Sequence, residues 1–473
     1  MSFRERPFRG AQYVRRERRL IIPLLLLPLA VFLPLSSARQ FNPHALPSLL
    51  YTSDTLNFLE PCGCRATGTG GLPRRATVIE RIRRESKNVL LLDTGNWGDD
   101  PVRRFVIARG MATMRYDVAG IGELDLKSKD HCALAQQEAV PLLATTARPT
   151  TIPDSVPKTR ELKLGDRGIG VVALLPVAVA DASVLRTLTP VLSDLRSRCE
   201  LIVAVSQQGL SRDEELALAL DRSMTDQTAR PAIDVIIGNG TAESLTAPIV
   251  RGRTTIVPTS SKGQHLGRLE VDFSVTPPKF SARLIPLDRE IPDHPKVAEL
   301  IGQFFADEMA RLVAIGVDDS HQDFAAIDVK ARYVKSEQCA ECHEKAYTQW
   351  QKSKHAKGLL TLIEKKRLAP QCLKCHSEHF RRTGKLLEAV FQKGNDEPRT
   401  TNAQSSFVNH QSTIINDGIA CTTCHGDGVV HSLTESKKQI TRTRTEAFCK
   451  TCHDKENDDR FNYKKDLQAI RHW

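Results

Sequence analysis

The sequence has only one long apolar run, few aromatic residues and no low-complexity tract. The run extends from Leu20 to Leu35, and no second stretch approaches the roughly 20 apolar residues that a membrane-spanning helix needs. Aromatic residues make up 5% of the chain, and apart from one short cysteine motif there is no internal repeat. These absences exclude a polytopic membrane protein and a repeat protein. A chain of 473 residues instead has room for two or three globular domains.

The N-terminal segment has the composition of an export signal. Seven Arg and two Glu precede the apolar run, and small residues that suit cleavage follow it, up to Ala38. The run is short for a membrane span, and three prolines interrupt it. Residues 1–38 are therefore either a cleaved signal peptide or an uncleaved N-terminal membrane anchor. Either interpretation predicts that the rest of the chain is exported to the periplasm or cell envelope.

A Cys-x-x-Cys-His motif occurs four times in the last third of the chain. Its cysteines are Cys339, Cys342, Cys372, Cys375, Cys421, Cys424, Cys449 and Cys452, and its histidines are His343, His376, His425 and His453. Two thiols in this spacing can add across the vinyl groups of one haem, while the adjacent His binds the iron. Zinc sites and disulfides also use Cys-x-x-Cys, but neither requires a His after every copy. The sequence therefore predicts four covalently bound c-type haems, each with one of these histidines as its proximal iron ligand.

The region around these motifs is predicted to be a mostly α, haem-packed domain over residues 331–473. From Lys335 onward the apolar fraction falls and strand patterns vanish, so the haems themselves must supply most of the core. The formal charge of +11 becomes +6 if residues 1–38 are lost, and the haem propionates would largely offset that surplus. The charge and the export signal together argue against nucleic acid as a partner.

The region before the motifs reads as an α/β domain over residues 45–290. Short, branched apolar runs such as Val89–Leu92 and Leu201–Val205 have the composition of buried strands. Helical patterns such as Asp213–Leu220 lie between them, and this alternation favours a layered α/β sandwich. Residues 291–330, with an amphipathic segment around Val297–Val313, are predicted to form a linker helix.

Several segments of this region resemble, in order along the chain, the strand-end motifs of the 5′-nucleotidase branch of calcineurin-like metallophosphoesterases. The matching segments are Tyr51-Thr-Ser-Asp54-Thr55-Leu56, Val89-Leu-Leu-Leu-Asp93-Thr-Gly95-Asn96, Tyr116 to Asp125, Val205-Ser-Gln207-Gln-Gly209, Ile233 to Thr241 and Gly263-Gln-His-Leu-Gly267. The resemblance covers residues 47–275 and implies a two-layered sheet sandwich. It also implies two metals held by Asp, His, Asn and His side chains, which activate water against a phosphate ester.

Most of the metal-binding positions implied by this resemblance carry other residues. Asp54 is retained, but Leu56 stands where the first His is expected and Asn96 where the bridging Asp is expected. Leu124 and Gln207 likewise replace ligand or catalytic positions, and the Gly-His-x-His motif reads Gly238-Asn-Gly-Thr-Ala. Leu, Gly and Ala cannot bind a metal through their side chains, and amides are poor ligands for Zn or Mn. We therefore expect no phosphoesterase activity.

Four cysteines lie outside the haem motifs. Cys62 and Cys64 fall at the expected rim of the ancestral site, where they could be thiolate ligands or a redox pair. Alternatively they form structural disulfides with Cys132 and Cys199, which an exported protein permits. A direct bridge between Cys62 and Cys64 would be strained.

The C-terminal third resembles multihaem cytochromes of the cytochrome c-554 type. The matching segments are Cys339 to His343 with the trailing Trp350-Gln-Lys-Ser353-Lys-His355-Ala356, and Gly418-Ile-Ala-Cys421 to His431. The resemblance favours His355 and His431 as distal iron ligands; His410, His379 and His472 are further candidates. If residues 344–362 form one helix, His355 lies about 18 Å along it from His343 and must serve another haem. His431 follows its own proximal His closely across two glycines, which also favours a neighbouring haem.

Two functions remain open from the sequence. One is electron transfer by four haems between redox partner proteins, with the first domain as a docking or ligand-binding module. The alternative is a multihaem oxidoreductase in which one haem keeps an open position and acts on a small nitrogen or sulfur compound. The coordination state of each iron discriminates between them.

Overall fold

The computed structural model describes residues 46–61, 68–146, 149–176, 181–223, 230–238, 247–257, 259–315, 317–318, 327–328, 333–387, 417–441, 445–455 and 457–472. Four features predicted from the sequence lie outside these residues: the signal or anchor of residues 1–38, Cys62, Cys64 and His410. Within the described ranges, no helix is long and apolar enough to cross a membrane.

The first part of the chain alternates strands and helices. Its strands are β1 (Ser48–Thr52), β2 (Val89–Asp93), β3 (Val118–Ala119), β4 (Thr159–Leu164), β5 (Arg167–Leu174), β6 (Leu201–Ser206), β7 (Val235–Ile237), β8 (Ile249–Arg251), β9 (Thr254–Val257), β10 (His265–Asp272) and β11 (Lys279–Pro286). Its helices are α1 (Leu72–Glu85), α2 (Pro101–Met114), α3 (Glu123–Lys127), α4 (His131–Gln137), α5 (Asp181–Arg198), α6 (Leu210–Ser223) and α7 (Pro295–Ile315).

The strands form two mixed sheets. The first has the order β11-β10-β1-β2-β3, with β1, β2 and β3 parallel and β10 antiparallel to its neighbours β1 and β11. The second has the order β4-β5-β6-β7-β9-β8, with β5, β6, β7 and β9 parallel and an antiparallel strand at each edge. Parallel strands covered on both faces are apolar throughout, which explains the continuous hydrophobic runs of β2, β5 and β6.

Three cores show that these sheets form a four-layered α/β sandwich. Successive residues of a strand point to opposite faces, so Leu49 and Leu50 of β1 enter different cores. Leu49 packs between the two sheets with residues such as Val203 of β6. Leu50 packs beneath the helices on the outer face of the first sheet, whereas Leu188 of α5 covers the outer face of the second. The layered sandwich expected from the sequence is therefore present.

Helix α7 contributes to the sandwich as well as leading out of it. Val297, Ile301 and Phe304 are buried in the core beneath α1 and α2. The neighbouring Phe305 lies under the guanidinium of Arg367, which also makes two hydrogen bonds of 2.8 and 2.9 Å with the Glu60 carboxylate. The segment expected to be a linker is thus packed on the first domain, and Arg367 ties the last third of the chain to the sandwich.

The last third consists of short helices with very short strands. Its helices are α8 (Ser336–Gln351), α9 (Gly358–Glu364), α10 (Pro370–His376), α11 (Glu378–Thr383), α12 (Cys421–His425), α13 (Val429–Thr434), α14 (Glu446–Cys449) and α15 (Tyr463–Ile470), with a 3-10 turn at Lys437–Gln439. Two-residue strands β12 (Val317–Asp318), β13 (Ile327–Asp328), β14 (Tyr333–Val334) and β15 (Leu386–Leu387) form two small ladders. The mostly α character predicted for this region is present, although strands do not vanish entirely.

The single helix considered for residues 344–362 is wrong. Helix α8 ends at Gln351, has non-helical backbone angles at His343, and is followed by turns up to Gly358. The Trp350 indole nitrogen donates to the carbonyl of Ile419, and the amide of Ile419 donates to the carbonyl of His355. These long-range bonds fix the chain in a turn, so the distance of about 18 Å along one helix does not apply.

Candidate haem-binding site

The haem motifs occupy short helical turns in the last third of the chain. The first lies within α8, the second ends α10, the third is α12, and the fourth begins at the end of α14. In a helical turn, residues three and four apart lie on one face. The second and third motifs lie wholly within their helices and therefore present two cysteines and a histidine on the same side, as attachment of a planar group with an axial ligand requires.

Three of the motif histidines face a histidine from elsewhere in the chain. The rings of His343 and His431 have centroids 6.1 Å apart and planes 23° from parallel, His453 lies 5.9 Å from His355, and His425 lies 5.7 Å from His472. Metal–imidazole nitrogen bonds are about 2 Å long, so two imidazoles that bind one metal from opposite sides have centroids about 6 Å apart. The spacing of all three pairs therefore fits one iron between the rings.

Each pair joins one motif to a segment that follows or precedes a different motif. His355 follows the first motif and faces the histidine of the fourth, whereas His431 follows the third motif and faces the histidine of the first. His472, near the end of the chain, faces the histidine of the third motif. The rings of His355 and His431 each face the histidine of a motif other than the one they follow, and crossed iron ligation by these residues stays a prediction.

Hydrogen bonds at Nδ1 orient five of these rings. Carbonyl oxygens accept from His425 (Thr441, 2.6 Å), His376 (Gly358, 2.8 Å), His472 (Ile470, 3.0 Å) and His431 (Ser436, 3.2 Å), and the Asp458 carboxylate accepts from His453 (2.7 Å). A carbonyl can only accept, so Nδ1 must carry the proton and Nε2 keeps its lone pair. Such bonds are the usual second shell of a metal-binding histidine. The donor set therefore fits iron ligation through Nε2.

Burial keeps two of the rings neutral. The pKa of His355 is lowered by burial and by the nearby His453 and His376, and burial also lowers the pKa of His376. Neutral imidazole is the form that binds a metal, so both side chains are ready for ligation at neutral pH.

The cysteines of different motifs meet in two places. The side chains of Cys339 and Cys421 are within hydrogen-bonding reach of each other, and so are those of Cys375 and Cys452. These contacts bring the attachment points of the first and third motifs together, and likewise those of the second and fourth.

A buried acidic scaffold joins the second motif to the third. Glu378, directly after the second motif, accepts hydrogen bonds from Arg381, Arg382 and Thr423. Asp417 accepts from the Ser377 hydroxyl at 2.6 Å and from the His379 amide at 2.7 Å. The remaining distal candidate in the described part of the chain, His379, is fully buried here with Nδ1 3.4 Å from the Tyr333 hydroxyl.

Gly418 permits the close approach of two segments that the sequence singled out separately. A Cβ at this position would lie 2.5 Å from the carbonyl oxygens of both His355 and Ala356. Real Cβ atoms essentially never come so close, so only glycine lets the stretch before the third motif pack against the backbone of His355.

The sequence reasoning did not identify Asp458 or the structural role of Gly418. Asp458 follows the fourth motif histidine by five residues, and Phe461 stacks on the same ring at 4.7 Å. A carboxylate and an aromatic residue shortly after a motif histidine were the sequence features that could have indicated contacts with that ring.

In the sandwich, amide and hydroxyl groups surround the Asp54 carboxylate. The Asn96 side chain donates to Asp54 at 2.8 Å, and Gln207 donates to the Thr94 hydroxyl at 2.7 Å. Burial raises the pKa of Asp54, and burial raises that of Asp93 to about 7. Within the described ranges, no cluster of three His, Cys, Asp or Glu residues is arranged to hold a metal ion.

The other acidic residues of this region have structural partners. Asp125 accepts from the amides of Trp97 at 2.9 Å and Gly122 at 2.8 Å, and exposed Glu123 pairs with Lys127 at 2.7 Å. Of the segment Gly238-Asn-Gly-Thr-Ala, only Gly238 lies within the described residues. Cys132 packs at the edge of the core beneath α2, and Cys199 is buried against α5 in another core. Cys199 is a free thiol, so its predicted disulfide with Cys62 or Cys64 is wrong, whereas the pairing of Cys132 stays a prediction.

Comparison with known proteins identifies the motif-bearing region. Residues 338–426 match the family "Cytochrome c554 and c-prime". The resemblance inferred from the sequence is thus confirmed for a region that includes the first three motifs, and this cytochrome c554-like region is of the c-type, haem-binding class. No curated protein is significantly similar to the chain.

The sandwich is similar to solved structures of the kind expected from its motifs. A 5′-nucleotidase precursor from Thermus thermophilus is 19% identical over 56% of this chain and 59% of its own, with a TM-score of 0.47. Sulfate thiohydrolase SoxB of Thermus thermophilus is 16% identical over 57% and 62%, with a TM-score of 0.46. Haemophilus influenzae NAD nucleotidase is 15% identical over 56% and 60%, with a TM-score of 0.44. The match thus spans less than two thirds of each of these chains.

Proposed function

We propose that this chain is an exported cytochrome that binds four haems covalently and relays electrons between redox partner proteins. The observation that carries the proposal is the set of three cross-motif histidine pairs with centroids 5.7 to 6.1 Å apart. A haem bound at each motif supplies a one-electron iron couple. A histidine on each side of an iron favours electron transfer over substrate binding, because neither axial position is left to exchange.

The two cysteine contacts support a relay. Cys339 and Cys421 hold the attachment points of the first and third motifs side by side, and Cys375 and Cys452 do the same for the second and fourth. Electron carriers anchored so closely exchange electrons at short range. The crossed histidine pairs connect the first motif to the third through His431 and the fourth to the first through His355.

The N-terminal composition supports placement in the periplasm or cell envelope. Arginines, an apolar run and small residues follow one another there, as in export signals. In this proposal the chain is either released after cleavage or held at the membrane by its N-terminus.

We further propose that the sandwich is a docking or ligand-binding module that does not hydrolyse phosphate esters. Its Asp54 carboxylate accepts a hydrogen bond from the Asn96 amide, a neutral donor at the position where the resemblance implies the bridging Asp. Gln207, at a position implied to be His, is bound to Thr94 and directs its amide nitrogen into this cluster. Neither amide is a good ligand for the metals that such chemistry uses.

Intact mass and spectroscopy of the exported protein test the central proposal. We expect the added mass of four haems after acid precipitation, and a low-spin spectrum for iron held by two histidines. A C449A/C452A variant should lose one haem, whereas C199A, which removes a buried cysteine outside the motifs, should keep all four. The mass of the bare chain, or zinc in place of iron, would refute the proposal. A high-spin haem in the unmutated protein would instead favour the oxidoreductase.

A further inference from the structure

The fourth motif histidine has a hydrogen-bond acceptor of a different kind from the others. Asp458 accepts from Nδ1 of His453 at 2.7 Å with a carboxylate oxygen. The Nδ1 acceptors given above for His376, His425, His431 and His472 are all backbone carbonyls. Only this imidazole, of the five, therefore shares its proton with a full negative charge.

The loop after the fourth motif is built to hold Asp458 in this position. The Asp458 amide donates to the carbonyl of Asp454 at 2.7 Å, and the Asp454 carboxylate accepts from the amide and the side chain of Asn457. Phe461 lies flat against the His453 ring, with centroids 4.7 Å apart and planes 17° from parallel. Both Asp458 and His453 are partly buried, about 30% exposed, so solvent screens their interaction only in part.

A carboxylate at Nδ1 changes how strongly Nε2 donates electrons to a metal. The charged acceptor draws the Nδ1 proton towards itself, which leaves the ring more basic at Nε2. Hydrogen bonding around the axial ligand is one of the levers by which a protein sets the potential of haem iron. A more basic imidazole stabilises the ferric over the ferrous state, so the midpoint potential falls.

We propose that Asp458 is a positioning residue that gives the haem of Cys449 and Cys452 the lowest midpoint potential of the four. In a reductive titration this haem accepts its electron last, from a chemical reductant such as dithionite, as Fe(III) becomes Fe(II). The fourth motif is then the low-potential end of the relay. The inference rests on the proposed haem binding at this motif.

The test is a potentiometric titration of the full, haem-loaded protein with D458N. Asn is close to Asp in shape and keeps an oxygen that can accept from His453, but it carries no charge. We expect the lowest midpoint potential to rise by about 59 mV, the equivalent of a tenfold change in a one-electron equilibrium. D458E, which restores a carboxylate, should shift the potential back towards that of the unmutated protein. D459N, which removes an exposed charge from the adjacent residue, is the matched control and should leave all four potentials unchanged.

Two readouts separate failure of this inference from failure of the proposed function. If mass shows no haem on the fourth motif of the unmutated protein, the proposed function itself fails. If four haems are bound and low-spin but D458N and D459N give the same potentials, the role of Asp458 is refuted. Should D458N lose its fourth haem, C449A/C452A decides the matter, because its titration must lack the lowest-potential component. Loss of any other component would overturn the inference.

Discussion

Replacing His355 with Ala should change the coordination of one haem, and that haem is attached to a motif far from His355 in the sequence. His355 lies twelve positions after the first motif histidine, yet its ring is 5.9 Å from that of His453 in the fourth motif. With an iron about 2 Å from each Nε2, an Ala Cβ at this position would stay about 5 Å from the metal, beyond bonding distance. H355A should therefore keep its covalent haems and all proximal ligands, while one iron becomes five-coordinate or water-bound.

The fraction of haem that should change its spin state in H355A follows from the loss of one ligand among four haem sites. About a quarter of the haem absorbance should acquire high-spin character, and the reduced protein should bind about one more carbon monoxide per chain than the unmutated protein does. The midpoint potential of the same haem should rise by at least about 59 mV, since loss of a strong axial donor destabilises the ferric state. Visible spectra, electron paramagnetic resonance and potentiometry measure these changes, with the exposed neighbour K354A as the control.

Gly418 offers a second route to the same outcome. In G418A the new Cβ, built 2.5 Å from the carbonyl oxygen of His355, must push that backbone away from its position. A partial high-spin signal of the same haem should follow, whereas G302A, whose Cβ meets no atom within 4 Å, should be silent. An unchanged spectrum in H355A would show that His355 is not an iron ligand. A change confined to the haem of Cys339 and Cys342 would refute the crossed arrangement.

Two further predictions concern the sandwich. Burial raises the pKa of Asp213 to about 7, and its Oδ2 has no hydrogen-bond partner among the described residues. An unfolded Asp titrates near 3.9, so the folded state retains this proton longer, and stability should fall by about 1.4 kcal/mol per pH unit between about pH 4 and 7. Because buried Asp93 contributes a similar decline of its own, D213N should make the fall in stability shallower by about 1.4 kcal/mol per pH unit in thermal unfolding followed at several pH values. The exposed D166N should keep the full slope, and equal slopes for D213N and the unmutated protein would contradict the argument. Separately, purified protein supplied with Mn or Zn should not release phosphate from a nucleoside monophosphate, and D54A should leave that background unchanged; turnover that D54A abolishes would show that a metal site exists.

The outline of the sandwich could be predicted because buried strands and helices carry apolar residues in local patterns that the sequence shows. The run Leu201–Val205 became β6 with one added residue, since a strand covered on both faces must be apolar throughout. The pattern around Val297–Val313 did predict helix α7. It could not reveal that Val297 and Ile301 are buried in the sandwich core, because an amphipathic pattern does not determine which surface the helix packs against.

In the haem-binding region, the motif residues could be predicted from the sequence but the contacts between distant segments could not. The predicted attachment residues follow from spacing within five positions, so they could be proposed from the sequence alone. The break of α8 at Gln351 depends on Ile419, and the partners of His343, His425 and His453 come from distant segments. Short-range spacing argued that His355 and His431 serve haems other than their own, but it could not choose among the alternatives. It said less about His472, which turned out to face His425.

The crossed histidine pairs also have a consequence for the order of assembly. A chain is synthesised from its N-terminus, so the first motif emerges before the segment that holds His431, and the third before His472. Haem can be attached to each motif as it emerges, but its axial coordination can close only when a later part of the chain arrives. In the proposed arrangement the site of His425 waits for His472. Loss of the segment that holds His472 would therefore leave the third haem attached but incompletely coordinated.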